Sequence, residues 1–192
     1  VKGGTLTLHS ENKNAITAGS VSIGSKLVVY AGDTAGEIAE QETYTTIGSK
    51  HIVYIAEPHI ETVGENENEF APWVGNTSLP TKAGSYYLTG DVTLSTTWNV
   101  PSGSEGSTAV TNLCLNGHVI KLAGDATGSV IKVPANATLN LYDCGKTEHA
   151  GYVDAVGLWH LAADGHPAEG EIAKAITGGV ITGGSANGSG EG

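Results

Sequence analysis

Methionine is absent from these 192 residues, phenylalanine occurs once (Phe70), and cysteine occurs twice, at Cys114 and Cys144. Positive charge is scarce: nine Lys and Arg stand against 20 Asp and Glu, for a formal net charge of −11. The lysines are scattered singly, with no basic patch and no Arg-rich stretch. Such a polyanion repels phosphate backbones, so nucleic acid is excluded as a partner, and an anionic membrane surface is disfavoured. No apolar run reaches the roughly 18 residues needed to span a bilayer, which excludes membrane insertion. Helix-forming runs of Ala, Glu, Lys and Leu with a regular period are missing as well. Neither a CxxC pair nor a His/Cys ladder of zinc spacing occurs. Cys114 and Cys144 therefore leave two readings open, a disulfide in a secreted chain or two buried free thiols. No cofactor motif is present. Gly178-Gly179 and Gly183-Gly184 lack the following Lys-Ser/Thr of a phosphate loop. The opening Val-Lys-Gly-Gly is not a signal peptide, and the chain reads as a fragment of a larger protein with neighbouring domains.

What is present is strand-and-turn chemistry. Glycine is abundant, at 28 residues, and Val, Ile, Leu, Thr and Ser dominate the rest. β-branched residues suit a pleated surface and glycine suits its corners. Short runs alternate apolar and polar positions between Gly, Asn, Asp or Ser. Examples are Thr5-Leu6-Thr7-Leu8, Leu27-Val28-Val29-Tyr30, Ile52-Val53-Tyr54-Ile55, Tyr86-Tyr87-Leu88, Val119-Ile120-Lys121-Leu122 and Val180-Ile181-Thr182. Leu27 to Ile52 is 25 residues, Leu88 to Leu113 is 25, and Leu113 to Leu139 is 26. A repeat of that length is a solenoid signature, so the expected fold is all-β, a right-handed parallel β-helix. Overlaying Thr111–Gly117 on Thr138–Gly145 places Asn112 on Asn140, Leu113 on Leu141, Cys114 on Tyr142 and Cys144 on Asn116. Asn and Gly at the corners tolerate left-handed backbone.

Three stretches break the rhythm. Residues 57–81 are polar, carry three prolines and five glutamates, and read as a linker or cap between coils 1–56 and a module 82–184. Residues 146–174 read as a loop excursion with a helical turn near 169–175, and 185–192 as a flexible tail.

The run from Trp73 to Gly184 resembles a module of large surface proteins of anaerobic gut Firmicutes. The residues that carry the likeness are Ser78-Leu79-Pro80, Gly84-Ser85-Tyr86-Tyr87-Leu88-Thr89, Asp91-Val92-Thr93-Leu94, Trp98, Asn112-Leu113-Cys114-Leu115-Asn116-Gly117-His118, Thr138-Leu139-Asn140-Leu141-Tyr142-Asp143-Cys144 and Gly178-Gly179-Val180-Ile181-Thr182-Gly183-Gly184. The resemblance implies a pectin-lyase-like β-helix and an extracellular or cell-surface location. It carries over no catalytic residue.

Candidate chemistry is sparse. Asp91, Asp125, Asp143 and Asp154 lie near strands, but none is paired at i, i+2, the spacing that would put two on one face. A lyase of this fold would also want a Lys or Arg as base or clamp, and the chain offers little beyond Lys121 and Lys132, which are expected to face solvent on alternating strands. The excursion gathers His149, Asp154, Trp159, His160, Asp164, His166, Glu169 and Glu171. His160, Asp164 and His166 are the candidate metal ligands there. Trp159, Tyr152 and Asp154 are the candidate carbohydrate-binding set, since ring faces flanked by acids and amides suit sugars. Asn76-Thr77-Ser78 and Asn136-Ala137-Thr138 fit the glycosylation triplet. The leading expectation is a non-catalytic, adhesive or glycan-contacting stalk module, with a carbohydrate or host surface ligand as partner. The alternatives are a fragment of a β-helix polysaccharide lyase or glycoside hydrolase, and a purely structural spacer.

Overall fold

The computed structural model describes residues 6–10, 14–16, 22–24, 26–34, 50–124, 126–155, 157–162 and 172–184. The described residues are all-β. They hold β1 (Leu6–His9), β2 (Val28–Gly32), β3 (Ile52–Ala56), β4 (His59–Val63), β5 (Asn66–Trp73), β6 (Gly84–Leu88), β7 (Val92–Leu94), β8 (Trp98–Asn99) and β9 (Ala109–Cys114). Further along come β10 (Val119–Leu122), β11 (Ile131–Lys132), β12 (Ala137–Tyr142), β13 (Glu148–His149), β14 (Gly151–Val153), β15 (Trp159–Leu161), β16 (Ile172–Ala173), β17 (Ile176–Thr177) and β18 (Val180–Thr182). None of the described elements is a helix long and apolar enough to cross a membrane.

The N-terminal sheet has the order β1-β3-β2 and is antiparallel throughout. The apolar runs of β2 and β3 are unbroken because both faces of these strands are covered. Alternate residues Val29, Ala31, Val53 and Ile55 pack on one side with Leu6, Leu8, Ile16 and Ile23. On the other side, Tyr30, Tyr54 and Ala56 pack against Phe70, Tyr87 and Cys114. β4 and β5 form a hairpin that closes through Gly64 and Glu65, with Val63 opposite Asn66. Gly64 has φ +65°, the left-handed value that a glycine supplies at the first position of a two-residue hairpin turn. The last residues of β5 then leave the hairpin and pair in parallel with β6. β6, β9 and β12 follow in parallel, giving a mixed sheet of order β12-β9-β6-β5-β4.

Two further parallel ladders, β18-β10-β7 and β11-β8, face that sheet. Between them lies the largest core, built from Leu88, Leu113, Val92, Leu94, Ile120, Leu122, Trp98 and Val130. Its two indoles are satisfied, the buried Trp98 donating to the Pro80 carbonyl at 3.0 Å and Trp73 to the Ser78 carbonyl at 2.7 Å, whereas the Thr111 hydroxyl, on the same face of β9 as Leu113, is buried without a hydrogen-bond partner. The corner after β9 uses left-handed backbone at Asn116 (φ 50°) and Gly117 (φ 75°). Asp143 ties this corner to two others. One of its oxygens accepts from the Gly117 N–H at 2.7 Å and the other from the Gly179 N–H at 2.7 Å.

The expected right-handed parallel β-helix does not form among the described residues. The strands divide into six small sheets, and the pairings β1–β3, β2–β3, β4–β5, β13–β17, β14–β15 and β14–β16 are all antiparallel. The reason is visible at the first interval counted as a coil. Leu27 and Ile52 are 25 residues apart, but Val28 pairs with Ala56 and Gly32 with Ile52, so β3 runs back along β2 instead of stacking on it. Equal spacing fixes how far the chain travels and not its direction on return. Residues 57–81, read as a linker or cap, carry the β4–β5 hairpin, whose turn chemistry sits in Gly64. The described residues of the excursion 146–174 form four strands, β13 to β16. Of the helical turn expected near 169–175, residues 169–171 lie outside the described residues and 172–173 are β16; the tail 185–192 also lies outside them.

Tyr30 and Tyr87 make the fold sensitive to alkali. Burial pushes the Tyr30 phenol well above its ordinary value, and the Glu69 carboxylate that accepts its proton at 2.5 Å adds to the effect. Burial raises Tyr87 likewise, helped by its hydrogen bond to Tyr54. Both phenols ionise near pH 10 in the unfolded chain but stay protonated in the folded one. Their contribution is complete below about pH 10 and is lost as pH rises above it, by about 1.4 kcal/mol per pH unit for each tyrosine. Urea denaturation across that range should therefore show a falling midpoint, and Tyr30→Phe should reduce the slope.

Candidate functional site

Two places in the fold collect polar and aromatic side chains. The first is the antiparallel sheet β15-β14-β16 within the excursion. Its hairpin turn is held by Asp154, whose Oδ1 accepts the Leu158 N–H at 2.8 Å while Oδ2 lies 2.8 Å from His160 Nε2. Tyr152 pairs with His160 in register, and their rings stack at 5.0 Å and 19°. Trp159 pairs with Val153 and therefore lies on the opposite face from Tyr152. The indole N–H donates to the Lys174 carbonyl at 2.8 Å. Its ring lies flat on Gly151, where a Cβ would come within 2.2 Å of it. The expected carbohydrate set Trp159, Tyr152 and Asp154 thus falls within one hairpin, but on two faces and with Asp154 engaged in the turn. Of the expected metal set, His160 is bound to Asp154 and stacked on Tyr152. Asp164 and His166 lie outside the described residues. A cleft of about 460 Å³ opens beside this hairpin, lined by Lys121, Leu158, Trp159, His160 and Thr182 among others.

The other acids singled out in the sequence hold backbone. Asp91 accepts from the Val119 N–H at 2.9 Å and lies 3.4 Å from His118 Nδ1, and Asp143 clasps Gly117 and Gly179. His149 Nε2 lies 3.0 Å from the Gly117 carbonyl. Asp125 lies outside the described residues.

The second place was not read from the sequence. His59 and Glu61 stand at i, i+2 on β4 and so share a face. The register of the mixed sheet brings that face over the end of β9, where Cys114 sits, and over Cys144, two residues past β12. His59 Nε2 lies 3.0 Å from Glu61 Oε1, and the Cys114 thiol donates to the same oxygen at 3.2 Å. The Cys114 and Cys144 sulfurs are 3.5 Å apart and unbonded, and Cys144 Sγ is 3.7 Å from His59 Nε2. All four donor atoms lie within 4.8 Å of one another. The cluster is firmly seated. The His59 ring stacks on Tyr87 at 4.2 Å and 8°, Cys114 is 0% exposed, and the Asn116 amide beside Cys144 donates to the Leu88 carbonyl at 3.0 Å. A cavity of about 440 Å³ adjoins it, lined by Tyr54, Glu57, Pro58, His59, Tyr87 and Asn116.

Electrostatics here favour neutral thiols around an ionised carboxylate. Burial, then the hydrogen bond to Glu61, pushes the Cys114 thiol far up, and burial raises Cys144. Burial also opposes ionisation of Glu61. Together the hydrogen bonds from Cys114, Cys144 and His59 outweigh it and lower that carboxyl below its usual range. The set offers two thiols close enough to be joined by an oxidant, and four donors of the types that hold a borderline divalent ion. The sequence carried a trace of it in His59-Ile60-Glu61, an alternation inside a stretch otherwise read as linker.

Exposure separates the two thiols. In the reduced protein at neutral pH, Cys144 should be alkylated well before Cys114, and Cys114 should react only as the protein unfolds; mass spectrometry of the time course gives the order. Both should react slowly compared with an unfolded control, since both thiols are held protonated.

A scan against protein-family models, a search of curated proteins and a search of solved structures each found no match.

Proposed function

We propose that this chain is a non-catalytic, ligand-contacting module of a larger secreted or cell-surface protein, and that it contacts carbohydrate through the Trp159 cleft. The observation that carries this reading is the pinned indole. Trp159 is held by Gly151 beneath it and by its N–H bond to Lys174, so little side-chain freedom remains to be lost on binding. A rigid ring beside hydrogen-bonding groups is what a sugar needs, since its C–H face is apolar and its rim is polar. Lys121, His160 and Thr182 supply the polar rim, and Leu158, 61% exposed, adds apolar surface. The net charge of −11 favours neutral over anionic glycans. The likeness of residues 73–184 to modules of bacterial surface proteins supports the location.

An array of neutral oligosaccharides and polysaccharides tests this. Wild-type protein should bind a subset, and Trp159→Ala should weaken that binding about tenfold or more while the protein stays folded at the assay temperature, checked by its thermal midpoint. Gly151→Val, which drives a side chain into the indole, should weaken it too. No binding across the array at high sugar concentration, or undiminished binding by Trp159→Ala, would exclude the reading.

A further inference from the structure

The geometry points to a transition-metal site that ties three distant parts of the chain together: His59 Nε2, Glu61 Oε1, Cys114 Sγ and Cys144 Sγ holding one zinc-class divalent ion. The inference is independent of the carbohydrate reading, because no residue of this cluster lines the Trp159 cleft.

Spacing is the first argument. With metal–nitrogen and metal–oxygen bonds of about 2.0–2.2 Å and metal–sulfur bonds of about 2.3 Å, tetrahedral edges run from about 3.3 Å between N and O to about 3.8 Å between two sulfurs. Four of the cluster's six edges lie within that range or slightly below it, and the other two stay within 4.8 Å. The four are 3.0 Å from His59 to Glu61, 3.2 Å from Glu61 to Cys114, 3.5 Å between the sulfurs and 3.7 Å from Cys144 to His59. The donors thus form a ring of nearly the required size, drawn in by the hydrogen bonds that occupy it without a metal. Donor type is the second argument. Two thiols and an imidazole select zinc-class ions over calcium or magnesium, which take oxygen ligands. Placement is the third. His59 and Glu61 come from β4, Cys114 from the end of β9 and Cys144 from beyond β12, so one ion would staple the hairpin to both strands. Stacking on Tyr87 fixes the His59 ring plane, and burial fixes Cys114, so two of the four ligands are already oriented.

Coordination replaces the thiol hydrogen bonds. The two S–H protons leave to solvent, and the ion with two thiolates, one carboxylate and a neutral imidazole carries a net charge of −1. With four protein ligands the site is closed, which assigns it a structural role. Its folding contribution exists only in the folded chain, where the four donors meet.

The experiment uses the whole chain, reduced, stripped with a chelator and titrated anaerobically with cobalt(II). One equivalent should produce thiolate-to-cobalt charge-transfer bands in the near ultraviolet together with the intense visible bands of tetrahedral cobalt. One equivalent of zinc should abolish both and raise the thermal midpoint. Cys144→Ser changes an exposed side chain, so it should fold, and His59→Asn is the second variant. Each should weaken zinc binding more than about a hundredfold, since even outer-shell partners cost about 10–100-fold. A further readout needs no variant: bound zinc should protect both cysteines from alkylation. The proposal is overturned if wild-type protein gives only the pale spectrum of octahedral cobalt. It is equally overturned if Cys144→Ser keeps full charge-transfer intensity, or if zinc leaves both thiols as reactive as before.

Discussion

Tyr87 stands where the three packed regions of this chain meet, and the arrangement of the others follows from it. Its hydroxyl donates to the Tyr54 hydroxyl at 3.2 Å, and its ring meets Tyr54 edge to face and lies flat on His59. In the mixed sheet it sits directly beside Cys114. A buried phenol needs a partner for its O–H, and here the partner comes from the N-terminal sheet. That requirement docks β3 onto the sheet that carries β6. The hairpin β4–β5 closes the remaining side with His59 and Phe70, and Phe70 meets Tyr142 edge to face at 5.6 Å. Burying an aromatic ring of this size contributes about 2–3 kcal/mol, and the pairing geometry adds to that.

Local pairing was legible in the sequence where polar side chains impose it. The overlay of Asn112 on Asn140 and Leu113 on Leu141 is the observed register of β9 and β12. The amides themselves hold it: Asn140 donates to Asn112 at 2.8 Å, and Asn112 donates to Ser85 at 2.9 Å on the neighbouring strand. One slipped residue would turn each amide to the other face of the sheet. Global path was not legible. The same interval of about 25 residues separates Leu88 from Leu113, where the strands run parallel, and Leu27 from Ile52, where they run antiparallel. Direction is decided by the turns, and the hairpin that folds β4 back on β5 depends on a single glycine, Gly64. Reading residues 57–81 from their prolines and glutamates therefore missed a strand pair. It also missed the two side chains, His59 and Glu61, that complete the four-donor cluster.

That omission is instructive about cysteine arithmetic. Cys114 and Cys144 are 30 residues apart, Cys114 ending β9 and Cys144 lying two residues past its neighbour β12, an offset that suits neither a zinc ladder nor an ideal disulfide. The offset is resolved from outside the pair, because β4 crosses over both thiols and supplies an imidazole and a carboxylate from alternate residues. Ligand sets assembled across a sheet leave no spacing rule in the sequence. They are found only once strand order is known.

The two fates open to these thiols make opposite demands on the fold. A disulfide needs the sulfurs at about 2.05 Å, which draws Cys144 toward the buried Cys114 and leaves Glu61 without both of its thiol donors. Glu61 would then keep only His59, at 3.0 Å, to offset the desolvation of its carboxylate. A metal ion needs the sulfurs near their present 3.5 Å and gives the same carboxylate a full positive partner. An oxidising location favours the first state, and the preformed set of four donors favours the second. Because both states use the same two sulfur atoms, occupancy by one excludes the other. The half-buried carboxylate of Glu61 tips the balance, since it is stabilised by coordination and stranded by oxidation.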